Sequence, residues 1–147
     1  MPADDQLTAL AALHDLFERH GIDYWVFGGW AVDLHAGAVT RPHDDVDVAV
    51  RSADGDRVHE ALTTAGWTHT QHEDFATYTL AGVRIEVAFA DRGEWPDGSF
   101  GADVAEVCGV RARVVSLHSL KVDKAQERDD PLVGEKDRRD SATLAEL

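Results

Sequence analysis

The chain opens with a stripe of apolar residues at helical spacing. These side chains recur every three or four positions and predict an amphipathic helix over residues 4–20, with Gly21 at its end. The next apolar run, residues 24–27, is rich in strand-forming side chains and stops at a glycine pair, so it predicts a short strand. The helical stripe consists of Leu7, Leu10, Leu13 and Phe17.

Strict alternation of residue type predicts a second strand over residues 45–50. Its three valines fall on one face, and Asp45, Asp47 and Ala49 fall on the other. Two further apolar runs, residues 75–80 and 83–89, flank Ala81-Gly82 and predict a tight hairpin. In the second arm of this hairpin Glu86 lies opposite the apolar face.

The remaining segments complete an α+β domain with a mixed β-sheet flanked by helices. We expect residues 1–115 to form the α+β core and residues 116–147 a C-terminal helical segment packed on it, as one domain. The other predicted elements are helices over 30–36, 54–65, 116–128 and from 135 onward, a hairpin of 104–107 with 110–115, and a loop over 93–101.

Composition narrows the range of partners. The 147 residues include 28 acidic and 14 basic side chains, a formal net charge of −14. This charge disfavours nucleic acid and anionic membrane surfaces as partners, because both are bound through basic patches. The single cysteine, Cys108, excludes an intrachain disulfide. Without a signal-peptide pattern or a membrane-spanning run, we expect a cytoplasmic protein.

Three acids on two predicted strands indicate a metal site. Asp45, Asp47 and Glu86 each lie between apolar residues that face the opposite way. If the strands are neighbours, the carboxylates lie about 5 Å apart. Ionised groups at that distance repel one another, and a hard divalent cation removes the repulsion. Oxygen ligands of this kind favour Mg²⁺.

The glycine pair Gly28-Gly29 indicates a phosphate site. It lies between a strand and a helix, where glycine lets the backbone approach a ligand and the helix N-terminus presents free N–H groups. Carboxylate-bound magnesium beside such a turn is typical of phosphoryl or nucleotidyl transfer.

The same residues resemble a known superfamily. Gly28-Gly29-Trp30-Ala31-Val32-Asp33, followed by Thr40-Arg41-Pro42-His43-Asp44-Asp45-Val46-Asp47, is similar to the nucleotidyltransferases that include DNA polymerase β. More narrowly, it resembles the small bacterial enzymes that adenylylate aminoglycosides and lincosamides. The resemblance implies a polymerase-β-like fold. A weaker likeness to small relatives extends to Lys121, Lys124, Lys136-Asp137 and Asp140.

The resemblance also implies roles for these residues. Asp45 and Asp47 would bind the Mg²⁺ ions, two of them, that hold a nucleoside triphosphate, with ATP the expected donor. Glu86 would share a metal or act as general base, and both alternatives stay open. Gly28 and Gly29 would contact phosphates. The triphosphate charge would be neutralised by Arg41, His43 and Lys121; for Arg41, an ion pair with Asp44 is an equal alternative.

The expected acceptor is a small cationic molecule. An acidic protein concentrates cations, which favours aminoglycosides over the mostly apolar lincosamides. The candidate acceptor-binding residues are Trp30, Glu94, Trp95 and Asp97. A second subunit in a homodimer is one way to complete the pocket. Two other functional hypotheses stay open. One is a toxin–antitoxin or defence nucleotidyltransferase that modifies tRNA or protein, and the other is a non-catalytic nucleotide-binding module of the same fold.

Overall fold

A computed structural model describes residues 3–125 and 131–147 of the chain, leaving aside the side chains of 131–133. Five helices and seven strands are formed in this part. The helices are α1 (Ala3–His20), α2 (Gly28–Ala36), α3 (Gly55–Thr64), α4 (Leu117–Lys124) and α5 (Pro131–Leu144). The strands are β1 (Tyr24–Phe27), β2 (Val46–Val50), β3 (Thr68–Gln71), β4 (Ala76–Leu80), β5 (Val83–Phe89), β6 (Val104–Val107) and β7 (Val110–Arg113).

Five strands form a mixed sheet in the order β1-β2-β5-β4-β3. The central pair, β2 and β5, is parallel, and every other neighbouring pair is antiparallel. Register in the parallel pair sets Val46 beside Ile85 and Asp47 beside Glu86. The predicted α+β fold with a mixed sheet is therefore confirmed, and its central pair brings the two acidic strands together.

The core is built from the predicted apolar stripes. The α1 stripe is buried, with Phe17 fully inside, and the alternating valines of β2 are at most 1 % exposed. Helices α1 and α3 contact each other, whereas α2 packs against β1, β2, α4 and α5. The hairpin of β6 and β7 lies against α1 and α2 and joins the main sheet through a bridge between Val26 and Val114.

Glycines in a helix cap and in a tight turn end these elements at the positions that the sequence predicts. Gly37 ends α2 in the left-handed conformation, φ 73°, and its N–H donates to the carbonyls of Asp33 and Leu34. Ala81 and Gly82 both have positive φ, 51° and 81°, as a two-residue hairpin turn requires. The predicted hairpin between residues 75 and 89 is confirmed.

Two helix starts and one strand are the main differences from the prediction. Helix α2 begins two residues early, at Gly28, and α5 begins at Pro131 instead of residue 135. Proline fits the first turn of a helix because that position needs no N–H donor. The edge strand β3 was not predicted, since the polar run Thr68–Gln71 carries no apolar alternation. The end of the predicted 116–128 helix lies outside the described residues. No helix within the described residues is long and apolar enough to cross a bilayer.

Candidate active site

The three predicted acids meet at one point on the sheet. Asp45 immediately precedes β2, Asp47 lies within it, and Glu86 is the register partner of Asp47 on β5. Carboxylate oxygens of all three lie within 4.8 Å of one another. The parallel pairing of β2 and β5 produces this cluster, because register partners point to the same face of a sheet.

Burial and mutual repulsion make the ionised cluster unfavourable. Burial, followed by the charges of Asp45 and Glu86, holds the pKa of Asp47 well above its usual range. Burial and the charge of Asp45 likewise raise the pKa of Glu86. Across residues 3–125 and 131–147, no lysine or arginine forms an ion pair with any of the three.

This donor set fits a hard divalent cation. It offers only carboxylate oxygens, three of them close enough to share one ion, and the lysines and arginines of residues 3–125 and 131–147 form no ion pair with them. Mg²⁺ prefers such ligands and completes its shell with water and substrate phosphate. The residues that would hold it are Asp45, Asp47 and Glu86.

The Gly28-Gly29 turn lies directly against this cluster, and neither glycine tolerates a side chain. Gly28 has φ 69°, and a Cβ there would lie 2.2 Å from Oδ2 of Asp47. A Cβ on Gly29 would lie 2.5 Å from Nη2 of Arg41 and 2.5 Å from Nδ1 of His43. The turn therefore brings bare backbone at the start of α2 next to the acidic cluster, where an anionic ligand is stabilised by the helix N-terminus.

Arg41 and His43 are both buried in ion pairs. The Nε and Nη2 groups of Arg41 donate to the two carboxylate oxygens of Asp140 on α5, at 2.8 and 2.9 Å. Nε2 of His43 lies 2.6 Å from Oδ2 of Asp33. The alternative partner considered for Arg41, Asp44, pairs instead with Lys136.

A cavity of about 200 Å³, here called the acid cavity, opens onto the cluster. It receives two lysines from the C-terminal helices: Lys124 at the end of α4 and Lys136 on α5. Lys121, which the sequence analysis preferred, is exposed and does not line this cavity. The residues lining it are Gly28, Gly29, Arg41, His43, Asp44, Asp45, Asp47, Lys124, Lys136 and Asp137.

A second cavity of about 280 Å³, the aromatic cavity, shares Gly28 with the first. Trp95 lies against Phe27, with ring centroids 5.1 Å apart, and its indole N–H donates to the carbonyls of Phe89 and Arg92. Glu94 and Asp123 supply carboxylates to this cavity. Its lining residues are Phe27, Gly28, Arg92, Gly93, Glu94, Trp95, Pro96, Val115, Ser119, Leu120 and Asp123.

Two of the suggested acceptor residues lie elsewhere. Trp30 is 1 % exposed, and its indole N–H donates to Gln6 in the core. Asp97 is exposed and lines neither cavity. Of the four candidates, Glu94 and Trp95 are the two that the fold brings to the aromatic cavity.

Two residues near the site have contacts that the sequence did not reveal. Asp33 is fully buried and accepts hydrogen bonds from Thr40 and His43. Lys136 lines the acid cavity and pairs with Asp44. The available signal was the Lys-Asp-x-x-Asp spacing at the chain's end, which places Asp137 and Asp140 on one face of α5.

Solved structures with this fold are nucleotidyltransferases. ANT(2'')-Ia in complex with adenylyl-2''-tobramycin matches with a TM-score of 0.78 and 22% identity, covering 97% of this chain and 91% of that chain. The lincosamide adenylyltransferase LnuA, lincomycin-bound, matches with a TM-score of 0.72 and 19% identity, covering 91% and 92%. This chain therefore has the fold of these two nucleotidyltransferases, and its carboxylate cluster lies on the central strand pair of that fold.

The particular family follows from the sequence. The chain belongs to the aminoglycoside-2''-adenylyltransferase family, whose model matches residues 9–101. A 2''-aminoglycoside nucleotidyltransferase of Klebsiella pneumoniae is 26% identical over 101 residues, 69% of this chain and 55% of that relative. The chain thus spans about half the length of the curated relatives it matches. The predicted resemblance to antibiotic nucleotidyltransferases is confirmed.

Proposed function

We propose that this protein is a magnesium-dependent adenylyltransferase that transfers AMP from ATP to a hydroxyl of an amino-bearing antibiotic. The observation that carries the proposal is the Asp45-Asp47-Glu86 cluster with the Gly28-Gly29 turn against it. Neither part has an evident use in folding, because three carboxylates this close together destabilise the folded state and bare glycine backbone adds no side-chain packing. Their combination serves a charged ligand. A cytoplasmic location would supply the ATP.

The acid cavity is the proposed nucleotide site. Backbone N–H groups at the start of α2 would donate to phosphate oxygens, with the positive end of the helix facing them. Lys124 and Lys136 line the same cavity and would neutralise phosphate charge. Arg41 is held by Asp140 and would contribute positive charge from a fixed position, and His43 is held by Asp33 beside it.

Transfer requires the acceptor oxygen to bond to the α-phosphorus while pyrophosphate leaves. Bound Mg²⁺ would polarise the phosphate and neutralise the charge that develops on it. Glu86, which belongs to the cluster, would take the proton of the acceptor hydroxyl, and its raised pKa suits that role. The bond from the α-phosphorus to the bridging oxygen of the β-phosphate then breaks, and pyrophosphate carries away its electron pair.

The aromatic cavity is the proposed acceptor site. It meets the nucleotide site at Gly28, so a molecule bound there lies beside the cluster. Glu94 and Asp123 would pair with ammonium groups, whereas Trp95 and Phe27 offer ring faces to a sugar.

An aminoglycoside is the favoured acceptor class. The carboxylates at the aromatic cavity and the net charge of −14 both favour a molecule with several ammonium groups. The similarity to a 2''-aminoglycoside nucleotidyltransferase supports this choice. A lincosamide is the second candidate, because part of the cavity wall is apolar and LnuA shares the fold. The apolar wall residues are Phe27, Trp95, Pro96, Val115 and Leu120.

Pyrophosphate release tests the proposal directly. The purified chain is incubated with ATP and Mg²⁺ and with an aminoglycoside, a lincosamide, total tRNA or no acceptor. We expect turnover with an aminoglycoside that disappears in EDTA and falls at least about 1,000-fold in Asp45→Asn and Asp47→Asn.

Other outcomes would redirect or overturn the proposal. Turnover with tRNA alone would assign the enzyme to nucleic-acid modification. Magnesium-dependent ATP binding without turnover on any acceptor would indicate a nucleotide-binding module. Activity that survives both aspartate substitutions would contradict the assignment of the cluster.

A further inference from the structure

A buried ion network ties the C-terminal helices to the acid cavity. Arg41 forms its two-pronged contact with Asp140, and Nζ of Lys124 lies 3.1 Å from Oδ2 of the same carboxylate. Lys124 also lies 3.1 Å from Oδ1 of Asp137. All four side chains are at most 8 % exposed. A single carboxylate on α5, 99 residues from Arg41, thus holds two cations.

Arg41 in turn contacts the segments that form the site. Its Nη1 donates to the carbonyl of Pro42 at 2.9 Å, three residues before Asp45. Its Nη2, which is bonded to Asp140, fills the space that a side chain on Gly29 would need. The guanidinium therefore lies between α5, the glycine turn and the loop leading to the first acid.

We infer that Asp140 is a positioning residue for nucleotide binding. This inference rests on the function proposed above. It assigns a role to a residue outside the 9–101 region that matches the family model. Asp140 acts through Arg41 and Lys124: it fixes the guanidinium against the glycine turn and holds the ammonium group at the rim of the acid cavity.

The geometry of the contact between Asp140 and Arg41 explains how Asp140 positions the guanidinium. Two parallel hydrogen bonds fix both the position and the plane of a guanidinium, which a single bond does not do. Burial raises the pKa of Asp140, but hydrogen bonding and the charges of Arg41 and Lys124 outweigh burial and hold the pKa below its usual value. The carboxylate is thus ionised at neutral pH. Asn at this position would keep the shape but lose the charge and one acceptor.

Nucleotide affinity tests the inference. Binding of the α,β-methylene analogue of ATP with Mg²⁺ is measured by calorimetry for the parent chain and Asp140→Asn, together with ATP KM and kcat. We expect the dissociation constant and KM to rise by about tenfold or more, and kcat to change less than about threefold. The matched control is Glu135→Gln, which removes one exposed carboxylate from the same helix and should leave both values unchanged.

Further variants show whether Asp140 acts through Arg41. Arg41→Gln should weaken analogue binding, and adding Asp140→Asn to it should weaken binding less than Asp140→Asn does in the parent chain, because only the contact with Lys124 is then left to lose. If Asp140→Asn alone does not fold, Arg41→Lys carries the test, since it keeps the charge but loses the two-pronged contact. It too should weaken binding severalfold.

Three results would count against the inference. They are parent-like analogue affinity in folded Asp140→Asn, additive losses in the double variant, and unchanged affinity in Arg41→Lys. A parent chain that binds no nucleotide would overturn the proposed function together with the inference. Normal parent binding with an unaffected Asp140→Asn would overturn the inference alone.

Discussion

At the scale of single residues, the site combines groups that are each unfavourable for folding. Asp47 lies between two other carboxylates, and Gly28 holds a left-handed backbone against it. Groups that destabilise the folded state in this way are typical of sites where a bound ligand stabilises it again. The free energy of unfolding of the metal-free protein should therefore show how much the cluster destabilises the fold.

Asp47→Asn should stabilise the metal-free protein. The pKa of Asp47 is raised on folding, so its contribution to stability is present below the unfolded pKa and is lost as pH rises through the folded value. At pH 8 in EDTA, removing this charge should add about 1 to 4 kcal/mol. Urea unfolding of both proteins measures the difference.

The same urea unfolding experiment is repeated with Mg²⁺ and with a variant at an exposed carboxylate as a control. Adding Mg²⁺ should stabilise the parent chain at pH 8 and have little effect on Asp47→Asn. Asp103→Asn removes an exposed carboxylate and should match the parent in both conditions. A less stable Asp47→Asn in EDTA would show that the cluster is not under electrostatic strain.

At the scale of elements, the site depends on where helices begin. Helix α2 starts at the glycine turn. Helix α4 is capped by Ser116, whose hydroxyl accepts a hydrogen bond from the N–H of Ser119 at 3.1 Å. Helix α4 ends at Lys124, so its N-terminal cap helps to place a cation of the acid cavity.

Ser116→Ala should lower the free energy of unfolding by about 1 kcal/mol, because the first turn of α4 loses its side-chain acceptor. Ser116→Thr keeps a hydroxyl at the same place and should lose less. Chemical denaturation of the three proteins provides the comparison. Equal stability of the Ala and Thr variants would mean that packing alone holds the start of α4.

At the scale of the whole molecule, the net charge of −14 would act in opposite directions on the two proposed substrates. A negative protein attracts a polycationic acceptor and repels the anionic nucleotide. Raising NaCl from about 0.05 to 0.5 M shortens the screening length from roughly 14 to 4 Å. The acceptor KM should then rise severalfold while the ATP KM stays level or falls. A salt-independent aminoglycoside KM would remove the charge argument for that acceptor class.

Much of the fold was predictable because local patterns specify it. The stripe of α1, the alternation in β2 and the two-residue turn before β5 each predict one element, and each element forms. The polar strand β3 was missed because it forms by pairing with β4, and pairing leaves no mark in its own residues. The three acids were found because their alternation with valines shows which way they point.

Residue types and their spacing were enough to predict three carboxylates on one face, a glycine turn and an excess of negative charge. Which cations line the acid cavity depends on the tertiary structure. Lys124 and Lys136 reach the acid cavity, whereas Lys121 does not, and Arg41 pairs with Asp140 across 99 positions of the chain. Residue type and spacing dictate a side chain's chemistry and local direction, but contacts between distant segments depend on how whole helices pack, which no local pattern encodes.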